Sequence, residues 1–336
     1  MRNLSASNSY TTLIAGIGTI LEEGRKHAVV AVNQVLVRTY WEIGKRMVEY
    51  EQEGSEKAEY GSRLLEQLSN DLKAKYGKGF NLRNVYLMRK FYLGYKNLQT
   101  LSAELSWSHY VELIGTEEQL ARGFYEKQCI KEKWSVRELK RQIDSMLFHR
   151  IALSNNKKGV LELAKKGREV ENPKDAVKDP YILEFLGIPE KAEYSERELE
   201  QKIIDNLQKF LLELGKGFAF VGRQYRISFE GEHFYVDLVF YNTNLKCFVL
   251  IDLKAGKVTP QDVGQMNMYL NYFKSEESSG EDSEPIGIIL SAKKDNILVR
   301  YALGSITNKL FISKYALYLP DKDELEHKLK VLMEEK

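Results

Sequence analysis

The 336-residue chain holds only two cysteines, Cys129 and Cys247, in unrelated contexts and without metal-ligand or redox spacing. That excludes a disulfide scaffold and fits a reducing interior. No apolar run is long enough to span a bilayer: the longest near the start, "LIAGIGTIL", meets Glu22 and Glu23 at once. No cationic segment precedes it and no small-residue cleavage site follows, so the expectation is a cytoplasmic protein without a signal peptide. There is no internal repeat and no low-complexity tract. "GKG" at 77–79 and again at 215–217 continues as neither a P-loop nor a dinucleotide fingerprint. No His/Cys cluster argues for zinc.

What is present is 43% hydrophobic and 29% charged residues, a soluble globular composition. The net charge of +2 hides an asymmetry: residues 1–150 carry 23 Lys/Arg against 18 Asp/Glu, and residues 151–336 carry 27 against 30.

The N-terminal part reads as helical. Val29, Val32, Leu36, Tyr40, Ile43 and Met47 recur at spacings of three and four between Tyr10 and Glu51, with Gly24 as a break. A helix over 61–76 follows, then a turn at "YGKGF", then a helix N-capped by Asn81. Further helices are expected over 108–114, 117–131 and 135–150, the last with a Ser135/Glu138 capping box. "NNKKG", "ENPKD" and "KDPYILEFLGIPE" bring three of the six prolines and mark a connector between about 155 and 193. The domain expectation is therefore 1–152 helical and basic, 153–178 linker, and 179–336 a second domain.

Beyond the connector the pattern changes. A helix is expected over 195–214, then strands at "FAFVGRQYRISF", "HFYVDLVFYN" and "CFVLIDLKAG". A helix opens at Thr259 with Pro260 in its first position. "IGIILSA", a short helix, the strand "LFISKYALYL" and a charged final helix complete the chain. The order αβββαβ predicts an α/β domain on a mixed sheet.

Charges inside apolar strands are the chemical signal. Alternate side chains of a strand share a face, so Asp252 and Lys254 project together while Leu253 points away. Asp237 lies within another apolar run, and a buried carboxylate must be paired, hydrogen-bonded or metal-bound. Two acids and a lysine at one sheet end suit a hard cation such as Mg²⁺. A plain Lys254–Asp237 salt bridge is the competing reading. Glu198 belongs to a capping box with Ser195, whereas Glu200 stands at the end of the stripe Ile203, Ile204, Leu207. It is either a third acid for the same site or a boundary glutamate reaching solvent. Gln265 and Tyr269, four apart, share a face on the flank of their helix's core stripe. They are either site residues or a surface pair.

Asp237, then Asp252-Leu253-Lys254, with a preceding helix glutamate and a following Gln265-x-x-x-Tyr269, resembles the PD-(D/E)xK nuclease superfamily and its RecB-like branch. The whole chain resembles the bacterial PDDEXK nuclease domain-containing (YhcG-like) family, through "ELEQKIIDNLQKFLLELGKGFAFVGRQYRI" and "LSWSHYVELI". Val236 stands where the first motif has proline, and Asp252 where glutamate is commoner. The resemblance implies a restriction-endonuclease-like core behind an all-α, winged-helix or helix-turn-helix-like domain, and a place in restriction or mobile-element defence. It implies that Asp237, Asp252, the Leu253 carbonyl and Glu200 hold Mg²⁺, with Mn²⁺ as substitute. Lys254 would then orient water or stabilise charge, and Gln265 and Tyr269 would position the site. The expected activity is hydrolysis of DNA phosphodiester bonds. A non-catalytic DNA-binding scaffold and an RNA-directed nuclease are the alternatives, and a homodimer is a further partner expectation.

Between Asp71 and Glu104 the chain has no acid and seven Lys/Arg interleaved with aromatics. A charge run is usually a solvated face, yet this one is a candidate phosphate-binding surface. Lys78, Arg83, Asn84, Arg89, Lys90 and Lys96 are its candidate nucleic-acid contacts. Trp107 and His109 read as core and capping residues.

Overall fold

The computed structural model describes residues 3–52, 61–153, 157–167, 173, 177–178, 180–189, 193–229, 231–293 and 309–334. The chain divides into two compact units, Met1–Leu139 and Lys140–Lys336.

The first unit is all-helical among its described residues, so no strand supplies a wing. Helix α1 (Asn3–Gln52) is continuous and does not break at Gly24. It is followed by α2 (Gly61–Tyr76), a 3₁₀ turn (Lys78–Phe80), α3 (Leu82–Gly94), α4 (Trp107–Gly115) and α5 (Gln119–Glu132). Asn81 caps α3 as expected, its side chain accepting from Asn84 N at 3.0 Å. Met47, Leu65, Val85 and Met88 form a core under Tyr40, Ile43 and Trp107. The helices α1 and α3 touch backbone to side at Gly44, where a Cβ would run into the Met88 carbonyl oxygen. His109 is structural: Nδ1 pairs with Ser106 and Nε2 with the Trp134 carbonyl. The apolar periodicity of α1 splits in two. Tyr40, Ile43 and Met47 pack inside, whereas Val29, Val32 and Leu36 are exposed, because the helix outruns the bundle that covers its second half.

The helix expected over 135–150 is two, α6 (Val136–Asp144) and α7 (Leu147–Ala152). They part where Met146 takes a left-handed φ of 55°. The stretch read as a connector contributes α8 (Lys157–Lys166) and an edge strand, β1 (Tyr181–Ile182). The helix expected over 195–214 is also two, α9 (Glu196–Asp205) and α10 (Leu207–Leu214), separated by Asn206. Strands β2 (Phe218–Phe229), β3 (Glu232–Asn242) and β4 (Cys247–Lys257), helix α11 (Pro260–Tyr272), strands β5 (Ile286–Lys293) and β6 (Lys309–Ala316) and helix α12 (Lys322–Glu334) follow. The last strand is shorter than the expected run to 319. The short helix expected before it lies outside the described residues.

The sheet order is β1-β6-β5-β4-β3-β2. Strands β2, β3 and β4 are antiparallel neighbours, and β4, β5, β6 and β1 run parallel. One face packs Leu238, Phe240, Val249, Ile251 and Leu253 under Leu199, Ile203, Phe210 and Leu214 of α9 and α10. The other packs Val239, Leu250 and Ile289 under Val263, Met266, Tyr269 and Leu270 of α11. Both faces of β4 are therefore covered, which is why its sequence reads as a continuous apolar run. The Glu213 carboxylate, fully buried, faces Arg150 and Arg141, each at 3.4 Å, and accepts the Ile182 N–H at 3.0 Å.

A carboxylate site at the opening of the central strands

The β3–β4 ladder ends at Leu238↔Ile251. One step further, Asp237 and Asp252 stand opposite each other where the two strands part. The Asp237 carboxylate takes the Leu253 N–H at 2.8 Å, replacing the missing ladder bond. Asp252 is buried and its Oδ2 lies 2.9 Å from Lys254 Nζ. That ammonium also faces Glu196 at 3.6 Å and Asp262 at 3.5 Å. The Lys254–Asp237 salt bridge of the competing reading is not the pair formed. Glu196 and Asp262 escaped sequence reasoning because each sits at a helix start, where an acid is ordinary.

On its other side Asp237 stands opposite Gln224, between Arg223↔Leu238 and Tyr225↔Val236. Gln224 Nε2 donates to Asp237 Oδ1 at 3.0 Å and to Glu200 Oε2 at 2.8 Å. Its φ of 45° is a strained, left-handed value for a glutamine in a strand. Arg223 Nε lies 3.5 Å from Glu200 Oε1, an atom that is buried without a hydrogen bond. The only trace of this in the sequence is the polar triplet "GRQ", which interrupts the apolar alternation of β2.

The structure thus brings Asp237, Asp252 and Lys254 together, and joins Glu200 to Asp237 through an amide. Among the described residues no three His, Cys, Asp or Glu side chains are grouped closely enough to hold a metal ion by themselves. Gln265 and Tyr269 are linked to each other, and Tyr269 Oη donates to the Tyr235 carbonyl at 3.0 Å. Tyr269 is fully buried rather than on the flank of α11, so it holds β3 against that helix from within the core.

The electrostatics are unbalanced. Glu196, Glu200, Asp237, Asp252 and Asp262 face Lys254 and Arg223, with Arg197 acting on Glu200 from further off. Burial, and then the Asp237 carboxylate, push the Asp252 carboxyl up to about 7, although Lys254 pulls it down. Glu200 is raised by burial first, against the Gln224 amide, with Asp237 adding to the rise. For Lys254 burial works against the charge, but Asp252, Glu196 and Asp262 outweigh it and hold the ammonium above its usual range. The two shifts agree physically: the ammonium sees three carboxylates, whereas Asp252 sees one ammonium and another acid. Excess buried carboxylate with an orphaned oxygen is the donor chemistry of a hard divalent cation, so the residues present fit one.

A family model described as YhcG PDDEXK nuclease domain matches residues 174–330, and the DUF1016 N-terminal domain matches 16–150. The chain is 38% identical to "Putative nuclease YhcG" of Escherichia coli (strain K12), over 98% of this chain and 96% of that protein. The chain belongs to the YhcG family of PDDEXK nucleases. Among solved structures it is similar to a repair endonuclease from Pyrococcus abyssi (22% identity, 39% of this chain and 50% of that one, TM-score 0.27). It is also similar to EndoMS in a dsDNA complex (18% identity, 40% and 51%, TM-score 0.28). No described helix is long and apolar enough to cross a membrane.

The basic segment is less uniform than its composition. Arg89 is committed to Glu51, with Nε 2.9 Å from both carboxylate oxygens. Asn84 is spent on the turn, its amide donating to the Gly79 carbonyl at 2.9 Å. Lys96 stacks over the Tyr92 ring at 4.6 Å. Lys78 and Arg83 are exposed, and Lys90 is half-exposed.

Proposed function

We propose that this nuclease-family protein hydrolyses DNA phosphodiester bonds with a divalent cation, Mg²⁺ or Mn²⁺, held by Asp237 and Asp252. The observation that carries the reading is the opposition of these two carboxylates where β3 and β4 part, with the Lys254 ammonium 2.9 Å from Asp252. The Leu253 carbonyl would add a third oxygen, and Glu200, tied to Asp237 through Gln224, would complete the set. When bound, the cation polarises the scissile phosphate and makes a coordinated water more acidic.

The chain's own residues do the rest. Lys254, kept charged by its carboxylate neighbours, orients the attacking water or stabilises negative charge on the phosphate. Gln224 keeps Glu200 and Asp237 apart while holding both. Gln265 and Tyr269 fix β3, and so Asp237, against α11. Of the candidate contacts, Lys78, Arg83 and Lys90 are not taken up by Glu51, the turn or an aromatic ring, and they would meet the phosphate backbone.

Plasmid DNA and RNA are incubated with the protein in Mg²⁺, Mn²⁺ or EDTA, beside Asp252→Ala. DNA cleavage that needs the cation and Asp252 supports the reading; cleavage of RNA alone redirects it to RNA. Identical behaviour of wild type and variant on every substrate removes the enzymatic reading. For binding, Arg83→Glu with Lys90→Glu should weaken DNA affinity and flatten its dependence on salt. Arg89 is left unchanged in this test, because reversing it would break its pair with Glu51.

A further inference from the structure

We infer that the β2–β3 hairpin beyond the carboxylates is a substrate-binding platform, on which Arg226 holds a phosphate of the DNA strand and Tyr235 receives the neighbouring sugar or base. The inference rests on the nuclease reading of Asp237 and Asp252 and names the surface that leads the strand to them.

The pleat decides which side chains are available. Tyr225, Ile227, Phe234 and Val236 pack into the core under α11. Alternate side chains of a strand point to opposite faces, so Arg226 and Tyr235, which are register partners, stand together on the other face. On β3, Leu238 and Phe240 of that face pack under α9 and α10. Toward the hairpin turn this cover ends, leaving Arg226 exposed and Tyr235 46% exposed. The backbone beneath them is nonetheless anchored, because the Tyr235 carbonyl accepts from the buried Tyr269 hydroxyl at 3.0 Å.

Charge names the occupant. Glu196, Glu200, Asp237, Asp252 and Asp262 outnumber Lys254 and Arg223 at the site, so a polyanion needs cations on its way in. Arg223 is partly taken up, with Nη1 on the Gln201 side chain at 3.0 Å and Nε beside Glu200. Arg197 is exposed and lies one turn of α9 from Gln201, on the same flank. Arg226 is the unencumbered one: among the described residues nothing pairs with it. These guanidinium groups border the site on its β2 side, whereas Glu196 and Asp262 close around Lys254 at the end of β4. Arg226 and Tyr235 stand two residues along the hairpin from Asp237, about 7 Å, which is close to the step between successive phosphates of one strand. A planar guanidinium matches a phosphate, and a bare ring beside it matches a sugar or base.

Binding is measured on the full chain carrying Asp252→Ala, so that nothing is cut, from the anisotropy of a fluorescein-labelled oligonucleotide over a range of KCl concentration. One phosphate contact supplies about 8-fold in affinity at 0.1 M salt. Arg226→Gln should therefore lower affinity by about that factor and flatten the log–log salt slope by about one. Arg226→Lys should keep the slope. Tyr235→Ala should weaken binding with the slope unchanged, the phenol carrying no charge. Lys209→Gln removes the same charge from an exposed position of α10 and should alter neither quantity. In the chain with Asp252 intact, Arg226→Gln should raise KM and leave kcat. Affinity and slope of Arg226→Gln equal to the parent overturn the platform, and so does an equal loss in Lys209→Gln, which would make the effect one of net charge. A wild type that cuts nothing while Arg226→Gln still costs affinity removes the reaction but keeps the binding surface.

Discussion

Replacing Asp252 by asparagine should stabilise the cation-free protein and cost it its response to metal. The side chain is 5% exposed and meets the Asp237 carboxylate across the strand opening. A carboxyl that ionises near 7 instead of at its ordinary 3.8 burdens the folded state by about 4 kcal/mol at pH 8. The sign follows from the direction of the shift. The folded protein binds this proton more tightly than the unfolded chain does, so the burden is absent below the ordinary carboxylate range, grows as pH rises, and is complete above about 7. Asparagine removes it, and the loss of the charged bond to Lys254 is already contained in that net shift. Lys254 keeps Glu196 and Asp262. The gain at pH 8 is therefore about 4 kcal/mol, or roughly 8–16 °C in Tm for a unit of this size. Differential scanning fluorimetry at pH 8 in EDTA measures it, and at pH 5 the advantage should fall to less than half. Adding Mn²⁺ should raise the wild-type Tm and leave the variant nearly unmoved. A variant that melts lower than wild type at pH 8, or gains as much from Mn²⁺, refutes the account of the site.

Gln224→Gly should relieve the φ of 45° and hold or raise stability by up to about 1 kcal/mol. The same change should weaken metal affinity about 10–100-fold, read by Mn²⁺ titration. Glu213→Gln leaves Arg141 and Arg150 without their buried counter-charge and should cost about 3–5 kcal/mol in urea unfolding. Burial favours the neutral form of Glu213, but Lys178 and the arginines outweigh it and depress the carboxyl. Its stabilisation is therefore present above the ordinary glutamate range and lost as pH falls below it, so wild type should lose stability more steeply than the variant on acidification. Gly44→Ala forces a methyl against the Met88 carbonyl and should destabilise the first unit by about 1–3 kcal/mol, seen in its melting transition.

Local physics made much of this readable in advance. Apolar, β-branched and aromatic runs bounded by turn residues located β2, β3 and β4, and caps such as Asn81, Ser195 with Glu198, and Thr259 before Pro260 announced helix starts, because each depends on neighbours close in the chain. Asp237, Asp252 and Lys254 stood out since a charge inside an apolar run demands a reason wherever the run folds. Periodicity could not tell a buried stripe from a bare one: Ile17 and Met47 obey the same helical spacing, and only the bundle decides that Met47 is covered. Nor could it assign partners. That Arg89 belongs to Glu51, that Lys254 answers to Glu196 and Asp262, and that Gln224 bridges Glu200 to Asp237 are matters of which strands and helices come to lie side by side. Secondary structure is written in short-range sterics and hydrogen bonding, whereas the pairing of charges depends on distances that exist only once the sheet has formed.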